Sequence, residues 1–230
     1  MAAEGLEKTV KSMQEEIKGC KHEIERLQAV VEIQNMMSAY CYLHAANRHK
    51  DVMKLYAKKS PDARIYMGEL GYWEGYDAAE RAWSLLDRMG GGKPPPGMMA
   101  LHPMVSPIVV VAGDGKTAKG VWLTNGFVAG KDRETGEMRA TWEWGTYGID
   151  FIKEDGKWKF WHFHIYRLFR TGWDKGLKDW NPDAEVMKVP DEIKPDGPGV
   201  DDYPYRPDKV FILKPDLPES YQTWKDTFSY

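Results

Sequence analysis

The sequence has little cysteine, no long apolar run and no excess of basic residues. Its two cysteines, Cys20 and Cys41, cannot build a disulfide framework, and both lie in helical patterns. They are therefore expected to act as small apolar side chains in a reducing compartment. No run of about 18 apolar residues and no signal-peptide segment is present. A net charge of −3 without a basic stripe argues against nucleic acid. These absences predict a cytoplasmic protein with no membrane or nucleic-acid partner.

Several motifs that signal particular cofactors or nucleophiles are also missing. The chain has no GxGxxG after a strand, no phosphate-binding P-loop, no GxSxG and no CxxC. An H-x-H pair, His162 and His164, could bind a metal with His102 as third ligand. A carboxylate at matching strand spacing is missing, however, and such pairs are common by chance. We therefore predict neither a cofactor nor a metal, which leaves acid–base chemistry by Tyr, His and Arg.

Aromatic residues, in contrast, are abundant. The 230 residues include 10 Trp and 12 Tyr, and 42% of the chain is hydrophobic, which is enough for a full core. Such a composition is typical of a bulky core. It is equally typical of a pocket for flat or polycyclic ligands, because small-molecule sites are largely apolar with a few placed polar groups.

The first segment carries an apolar repeat of seven residues. The repeat consists of two series, Leu6, Met13, Cys20 and Leu27, and Val10, Ile17, Ile24 and Val31. One interpretation is an amphipathic helix packed on its own domain. We favour a coiled coil that joins protomers into a homo-oligomer, a trimer or a dimer, because the stripe is narrow and its flanks are charged. Residues 1–30 are assigned to this oligomerisation helix.

The remaining chain reads as helices followed by a meander of strands. A helix continuing to about residue 43, two shorter helices and two short strands precede a Gly/Pro loop at 90–97. Strands follow at 99–104, 107–112, 117–129, 139–153 and 157–170, with D-G or T-G turns between several of them. The pattern predicts an α+β domain over 31–172 with a curved antiparallel sheet. Proline recurs in 173–230, which predicts an extended tail that wraps a protomer or its neighbour.

Polar residues in apolar surroundings are the candidates for chemistry. Strict alternation in 157–170 places His162 and His164 on one face with Phe160, where they are either pH-sensitive groups or paired core histidines. Tyr40 and His44 are four apart and share a helix face, as a donor and a base or as packing residues. Asn125 falls inside an apolar strand, where a buried amide needs a partner.

The chain resembles the SnoaL-like branch of the NTF2-like superfamily, and its layout is similar to bile-acid 7α-dehydratase and scytalone dehydratase. The resemblance covers about residues 24–173. It rests on the segments MMSAYCYLHAANRHKDVMKLY, WEGYDAAERAW, LHPMVSPIVV, AKGVWLTNGF and WGTYGIDFIKEDGKWKFWHFHIYRLF. It implies a cone of curved sheet around a deep pocket whose mouth is closed by helices. The markers identify the fold better than the reaction, because this fold hosts many functions.

The resemblance also implies site residues. Tyr40, His102 and Arg167 match catalytic positions of the dehydratase, whereas Ala45 stands where the relatives have an aspartate. The acidic partner of the histidine is thus missing or moved, and no residue aligns in its place. We expect further substrate contacts from five residues, His44, Asn125, Trp122, Trp144 and His164.

Together these observations predict a cofactor-independent lyase for a hydroxylated aromatic or polycyclic compound. In this hypothesis His102 takes a proton, Tyr40 donates to the leaving oxygen or holds an oxyanion, and Arg167 orients an anionic group or stabilises charge. Loss of water and retro-aldol C–C cleavage both fit. The alternatives are an isomerase or cyclase of the ketosteroid-isomerase kind and a non-catalytic small-molecule binder.

Overall fold

A computed structural model of the chain describes residues 2–89, 96–132, 135–180, 189–199 and 204–230. Most of the predicted Gly/Pro loop, residues 90–95, lies outside this part. The helices are α1 (Ala2–Ala45), α2 (His49–Val52), which continues into a 3-10 turn at Met53–Leu55, and α3 (Ala78–Met89). In the ranges that the structure describes, no helix has the length and hydropathy needed to cross a membrane.

Seven strands form one mixed sheet. They are β1 (Arg64–Met67), β2 (Tyr72–Glu74), β3 (Met99–Leu101), β4 (Met104–Val111), β5 (Thr117–Lys131), β6 (Met138–Glu154) and β7 (Lys157–Gly172). Their order is β2-β1-β7-β6-β5-β3, and β4 also pairs with β5. All pairs are antiparallel except β1 with β7. The predicted α+β class is confirmed, and the sheet gains one parallel pair that the sequence did not indicate.

The alternation predicted for β7 is wrong at its start, because a β-bulge interrupts the strand. Asp150 pairs with His162, but the next residue of β6 pairs with Phe160, so Trp161 is an extra residue. An extra residue reverses the faces on its two sides. Phe160 therefore joins Phe163 in the core, whereas His162 lies on the outer face of the sheet.

A second bulge in β7 shapes the inner face. Trp144 pairs with Phe169 and Gly145 pairs with Arg167, which leaves one residue between them unpaired. Arg167 and Arg170 are three positions apart and would lie on opposite faces of a regular strand. Because of the bulge, both border the inside of the cone.

The core lies between the inner face of the sheet and the helices. The second half of α1 enters it, as its broad apolar face predicts, and Tyr40 is 1% exposed at the centre. Its ring contacts those of Trp83, Tyr147, Phe160 and Phe163, with centroids 5.1–6.2 Å apart. Edge-to-face contacts dominate this cluster, and such contacts stabilise aromatic cores beyond simple area burial. The abundant aromatic residues thus build the bottom of the cone.

The tail packs on the outer face of its own protomer. Tyr221 accepts a hydrogen bond at its carbonyl from the Gly113 amide, and its hydroxyl lies 3.1 Å from Thr117 Oγ1. The last residue, Tyr230, is 5% exposed and donates its backbone N–H to Asp150 at 2.9 Å. In the parts of the tail that the structure describes, the helical elements are single 3-10 turns at Leu177–Asp179, Asp191–Ile193 and Trp224–Asp226, in agreement with the proline content.

Candidate active site

A pocket of about 340 Å³ opens between α1, α3 and the inner face of the sheet. Aromatic rings of Tyr40, Trp83 and Tyr147 form its floor, and the charged side chains of Glu143 and Arg167 stand on its wall. The lining is thus mainly apolar with a small number of polar groups, which is the usual composition of a small-molecule site.

Five of the predicted site residues line this pocket. They come from a helix, a loop and two strands, and they are Tyr40, His44, His102, Trp144 and Arg167. Tyr40 and His44 stack with ring centroids 6.0 Å apart and an angle of 6° between the rings. His102 lies between β3 and β4, and its ring centroid is 5.2 Å from that of His44. The spacing of four residues on α1 correctly indicated one shared face.

Two predicted contacts on β5 lie elsewhere. Asn125 is exposed, so the expectation of a buried amide is wrong, and its neighbour Thr124 lines the pocket instead. The side chains of β5 do alternate, but sequence parity does not reveal which face points inward. Trp122 is on the inner face and buried, yet it packs below the pocket against Gly120 and Phe151.

Of the other two predicted contacts, His164 lies outside the pocket and Trp144 borders it. His164 lies on the outer face, where its ring stacks on Tyr66 and Tyr166 with centroids 4.5 and 3.7 Å away. Trp144 borders the pocket, but its side chain is 45% exposed and stacks on Phe169. The predicted substrate contact of Trp144 therefore stays possible at the edge of the pocket, whereas His164 is on the other side of the sheet and cannot contact a ligand there.

Glu143 is the site residue that the sequence analysis missed. Its Oε2 lies 3.6 Å from His102 Nε2 and 3.7 Å from Arg167, and its Oε1 lies 2.8 Å from Arg170 Nε. Glu143 thus supplies the acidic partner of His102 from β6, in place of the aspartate that Ala45 replaces on α1. One signal was available, since Glu143 is the sole charged residue in the apolar segment 140–149.

The environment of Glu143 keeps it ionised. Burial raises its pKa, but the interaction with His102 and the positive charge of Arg170 outweigh that effect and leave the pKa below its ordinary value. A carboxylate at this point favours the His102 tautomer whose proton sits on Nε2. The lone pair is then on Nδ1, the nitrogen that can accept a proton from a substrate.

Gly126 makes room for the His102 ring. A Cβ at Gly126 would lie 2.5 Å from His102 Cδ2 and 2.9 Å from its Nε2. Gly126 is paired with Glu143 across β5 and β6, so the ring lies over the strand that faces its carboxylate. Cys41 Sγ donates to the His102 carbonyl at 3.2 Å, which ties the loop to α1. The Cys41 hydrogen bond to the His102 carbonyl and the absence of a side chain at Gly126 together orient the imidazole.

Several polar atoms around the pocket have no protein partner. His44 Nδ1, His102 Nδ1 and Thr124 Oγ1 are buried and find no hydrogen bond within the described ranges. His44 also has its pKa lowered to about 3 by burial and by the nearby His102 and His49, so its ring is neutral at ordinary pH. Buried polar atoms are nearly always satisfied in folded proteins. Three such atoms around one cavity indicate a place for a polar ligand.

Two phenols complete the polar inventory. The hydroxyls of Tyr40 and Tyr147 share a hydrogen bond, and burial raises the pKa of both above the ordinary value. Both phenols therefore remain protonated donors over the whole physiological range. On the opposite wall, Arg167 forms an ion pair with Glu69. The two arginines of the lining are thus balanced by two glutamates.

The three histidines considered as metal ligands do not meet. His102 lines the pocket, whereas His162 and His164 lie on the outer face of the sheet. In the part of the chain that the structure describes, no group of three His, Cys, Asp or Glu side chains has a geometry that could hold a metal.

Solved structures share this fold. A candidate scytalone dehydratase from Novosphingobium aromaticivorans is 19% identical with a TM-score of 0.52, covering 72% of this chain and 99% of its own. A hexachlorocyclohexane dehydrochlorinase, LinA type 2, is 15% identical with a TM-score of 0.50, covering 74% and 98%. A candidate dehydratase of the NTF2-like family from Streptomyces avermitilis is 12% identical with a TM-score of 0.50, covering 61% and 96%. At such identities the likeness concerns the fold alone.

The sequence itself identifies the family. No curated protein matches the chain. The profile of the SnoaL-like domain matches residues 25–164, which is more than half of the chain and includes β1 to β6, α3, His102 and Glu143. With its curved sheet around an aromatic pocket, the chain therefore has the NTF2-like fold and belongs to the SnoaL-like domain family.

Proposed function

We propose that the chain is a cofactor-independent lyase acting on an uncharged, hydroxylated aromatic or polycyclic compound. The observation that carries this proposal is the His102–Glu143 pair on the wall of an aromatic pocket. A histidine oriented by a carboxylate can act as a general base, and the mainly apolar lining places it beside an aromatic substrate. The similar folds named above include candidate dehydratases and a dehydrochlorinase, which supports an elimination in the same class.

His102 is the proposed base. The Glu143 carboxylate faces the protonated Nε2 at 3.6 Å and thereby holds the ring, while Nδ1 takes a proton from a carbon or a hydroxyl of the substrate. His44 is neutral beside it, because its pKa is about 3. When His102 gains a proton, the neutral His44 does not repel the positive charge. His44 can also form a hydrogen bond with a substrate hydroxyl.

The phenols are the proposed acid. Tyr40 donates to Tyr147, so a proton on the Tyr147 hydroxyl is available to the departing oxygen or to an oxyanion. In a dehydration the base removes a proton, the C–O bond breaks and water leaves. In a retro-aldol cleavage the base removes a hydroxyl proton, the C–C bond breaks and an aldehyde leaves. The electron pair of that bond passes to an enolate or phenolate of the remaining fragment, which is then protonated by the Tyr147 hydroxyl or by the protonated His102. Both reactions need a base, His102, and a proton donor, the Tyr147 hydroxyl, in the same pocket.

The charges in the pocket favour a neutral substrate. Arg167 is paired with Glu69, and Arg170 is paired with Glu143, so no arginine awaits a substrate carboxylate. Both guanidinium groups can still stabilise negative charge that develops during the reaction. An isomerase would need a carboxylate that shuttles a proton, and a Glu143 with a lowered pKa is a weak base for that task.

The test is a mass-spectrometric screen of metal-stripped protein against neutral hydroxylated aromatic and steroid compounds without added cofactor. Loss of one water or of one formaldehyde is the expected result. In the variant His102→Asn turnover should fall about 10²- to 10⁴-fold, and in Glu143→Gln about 10- to 100-fold.

The exposed outer-face change Asn125→Ala is the control and should leave turnover intact. Unchanged turnover in His102→Asn would contradict the assignment. An isomer of unchanged mass would indicate the isomerase, and thermal shifts without any turnover would indicate a binding protein.

A further inference from the structure

The first half of α1 carries an apolar stripe that its own domain does not cover. Seven large apolar side chains along it are 45–68% exposed: Leu6, Val10, Met13, Ile17, Ile24, Leu27 and Val31. Cys20, also exposed, completes the repeat between Ile17 and Ile24. A stripe of about 25 residues spans about 38 Å of helix, and isolated exposed apolar residues do not form such a line by chance.

The same helix contacts its domain through the opposite side. Arg26 donates to the carbonyls of Val111 and Ala112 at 3.0 and 3.1 Å, and His22 Nε2 lies 2.6 Å from the Gly113 carbonyl oxygen. Ala29, Ile33, Met37 and Tyr40 continue this side into the core. With 3.6 residues per turn, the two sides are roughly 180° apart. Folding of the domain therefore leaves the exposed stripe pointing away from it.

The residue types along the stripe specify the partner. In heptad notation Val10, Ile17, Ile24 and Val31 occupy the a positions, and Leu6, Met13, Cys20 and Leu27 the d positions. β-Branched residues at a with unbranched or γ-branched residues at d favour two parallel strands over three or four. A helix with Gly5 and Gly19 is also weak by itself, because glycine costs about 1 kcal/mol in a helix interior.

The flanking charges select the same orientation. In a parallel pair, a g residue meets the e residue five positions later on the partner helix. Glu16 at g then faces Lys21 at e, and the opposite signs attract. In an antiparallel pair, g positions meet each other, and the two charged g residues of this segment, Glu16 and Glu23, are both acidic and would repel. The charged flanks and the residues at a and d therefore both favour a parallel pair of helices.

We infer that residues 6–31 form a parallel two-stranded coiled coil with the same segment of a second copy of this chain. The pocket domains of both copies then sit at the C-terminal end of the coil, because α1 runs unbroken from the stripe into the core.

Light scattering and sedimentation of the full chain test this inference. Ile17→Asp puts a charge into the seam and should halve the measured mass, with the dissociation constant raised at least about 100-fold. Lys18→Asp, on the solvent side beside it, is the matched control and should keep the mass of the unchanged chain. Near-UV circular dichroism, which reports the packing of the buried aromatic side chains, shows that the domain remains folded in both.

A cysteine scan tests the orientation. In a Cys20→Ser background, Leu27→Cys should crosslink two chains under mild oxidation, because equal d positions meet only in a parallel coil. The same background without Leu27→Cys should give no crosslink. A monomer at every concentration, a mass that falls to one third with Ile17→Asp, a mass that does not change, or no crosslink through Leu27→Cys would each overturn the inference.

Discussion

Two buried charge clusters lie on the opposite faces of strands β6 and β7, and they differ in how completely they are satisfied. The inner cluster holds His102, Glu143 and Arg170 beside the pocket. The outer cluster holds Lys119 and Asp150, both with fully buried side chains. Glu143 and Asp150 are seven positions apart on one strand. Because side chains alternate along a strand, an odd separation sends one carboxylate into the cone and the other out of it.

The outer cluster is closed. Lys119 Nζ donates to Asp150 at 2.5 Å and to the Phe228 carbonyl at 2.5 Å. Asp150 Oδ2 accepts from the Tyr230 amide and contacts His162 Nδ1, each at 2.9 Å. The end of the tail covers the group, and the rings of Phe228 and Tyr230 lie 4.5 and 4.1 Å from the Lys119 ammonium. Burial lowers the pKa of Lys119, and Asp150 only partly offsets this.

The inner cluster is open. The Nδ1 atoms of His102 and of the neighbouring His44 are buried without partners in the described ranges, and the Arg170 side chain is 45% exposed. Both clusters contain a histidine next to a carboxylate, which is the pattern that sequence analysis reads as catalytic. Only the inner one retains capacity for a ligand, so unsatisfied polar atoms beside a cavity distinguish the candidate site from a structural ion pair.

The largest effect expected from this difference is on stability. Asp150→Asn leaves the Lys119 ammonium buried without a counterion, and the free energy of unfolding should fall by about 3–5 kcal/mol. Glu143→Gln is the matched change in the open cluster. It should cost about 1–2 kcal/mol, because pocket water can solvate Arg170. Urea denaturation measures both, and equal losses would show that the clusters do not differ in this way.

Acid should lower the free energy of unfolding through His44, which lies beside the open cluster. The pKa of His44 in the folded protein is about 3, below the ordinary value of 6.5. At a pH between these two values, His44 is protonated in the unfolded chain and neutral in the folded chain. Stability is therefore lost as the pH falls from about 6.5 towards 3, by up to about 4 kcal/mol from this residue. Unfolding curves at several pH values should show a shallower loss in His44→Phe, and an identical slope would contradict the assignment.

A smaller effect is expected from crowding the His102 ring. Gly126→Ala places a methyl group 2.5 Å from His102 Cδ2 and should lower turnover about 10-fold by displacing the imidazole from Glu143. Gly130→Ala on the same strand is the control, since a Cβ there meets nothing within 4 Å. Steady-state kinetics of the two variants should differ. Equal turnover would mean that the ring position is not critical.

The smallest effect is expected at the edge of the closed cluster. Ser229 Oγ lies 3.0 Å from His162 Nδ1 and donates to Asp150 at 3.2 Å. Ser229→Ala removes these two contacts, but His162 and Asp150 still contact each other. The free energy of unfolding should therefore fall by only about 1 kcal/mol. Turnover should stay the same, because the tail lies on the other side of the sheet. A loss of activity comparable to that of Gly126→Ala would link the two faces and weaken the comparison.

Local patterns predicted much of this fold. The long helix, the shared face of Tyr40 and His44, and the five long or short strands after residue 98 follow from periodicity and turn residues. The positions of Asn125 and His164 could not be predicted in this way, because alternation defines two faces of a strand without showing which one points into the cone. The bulge at Trp161 was equally hidden, since an extra residue in a pairing is a property of two strands.

By itself the sequence determined the order of elements, the SnoaL-like family, the heptad stripe and five of the residues around the pocket. Only the tertiary structure decided that Glu143 is the acidic partner of His102 and that the His162 cluster is closed by the tail. The physical reason is range. Helix faces and strand alternation depend on neighbours within a few residues, whereas a carboxylate meets a histidine 41 positions away only once strand register and bulges are set.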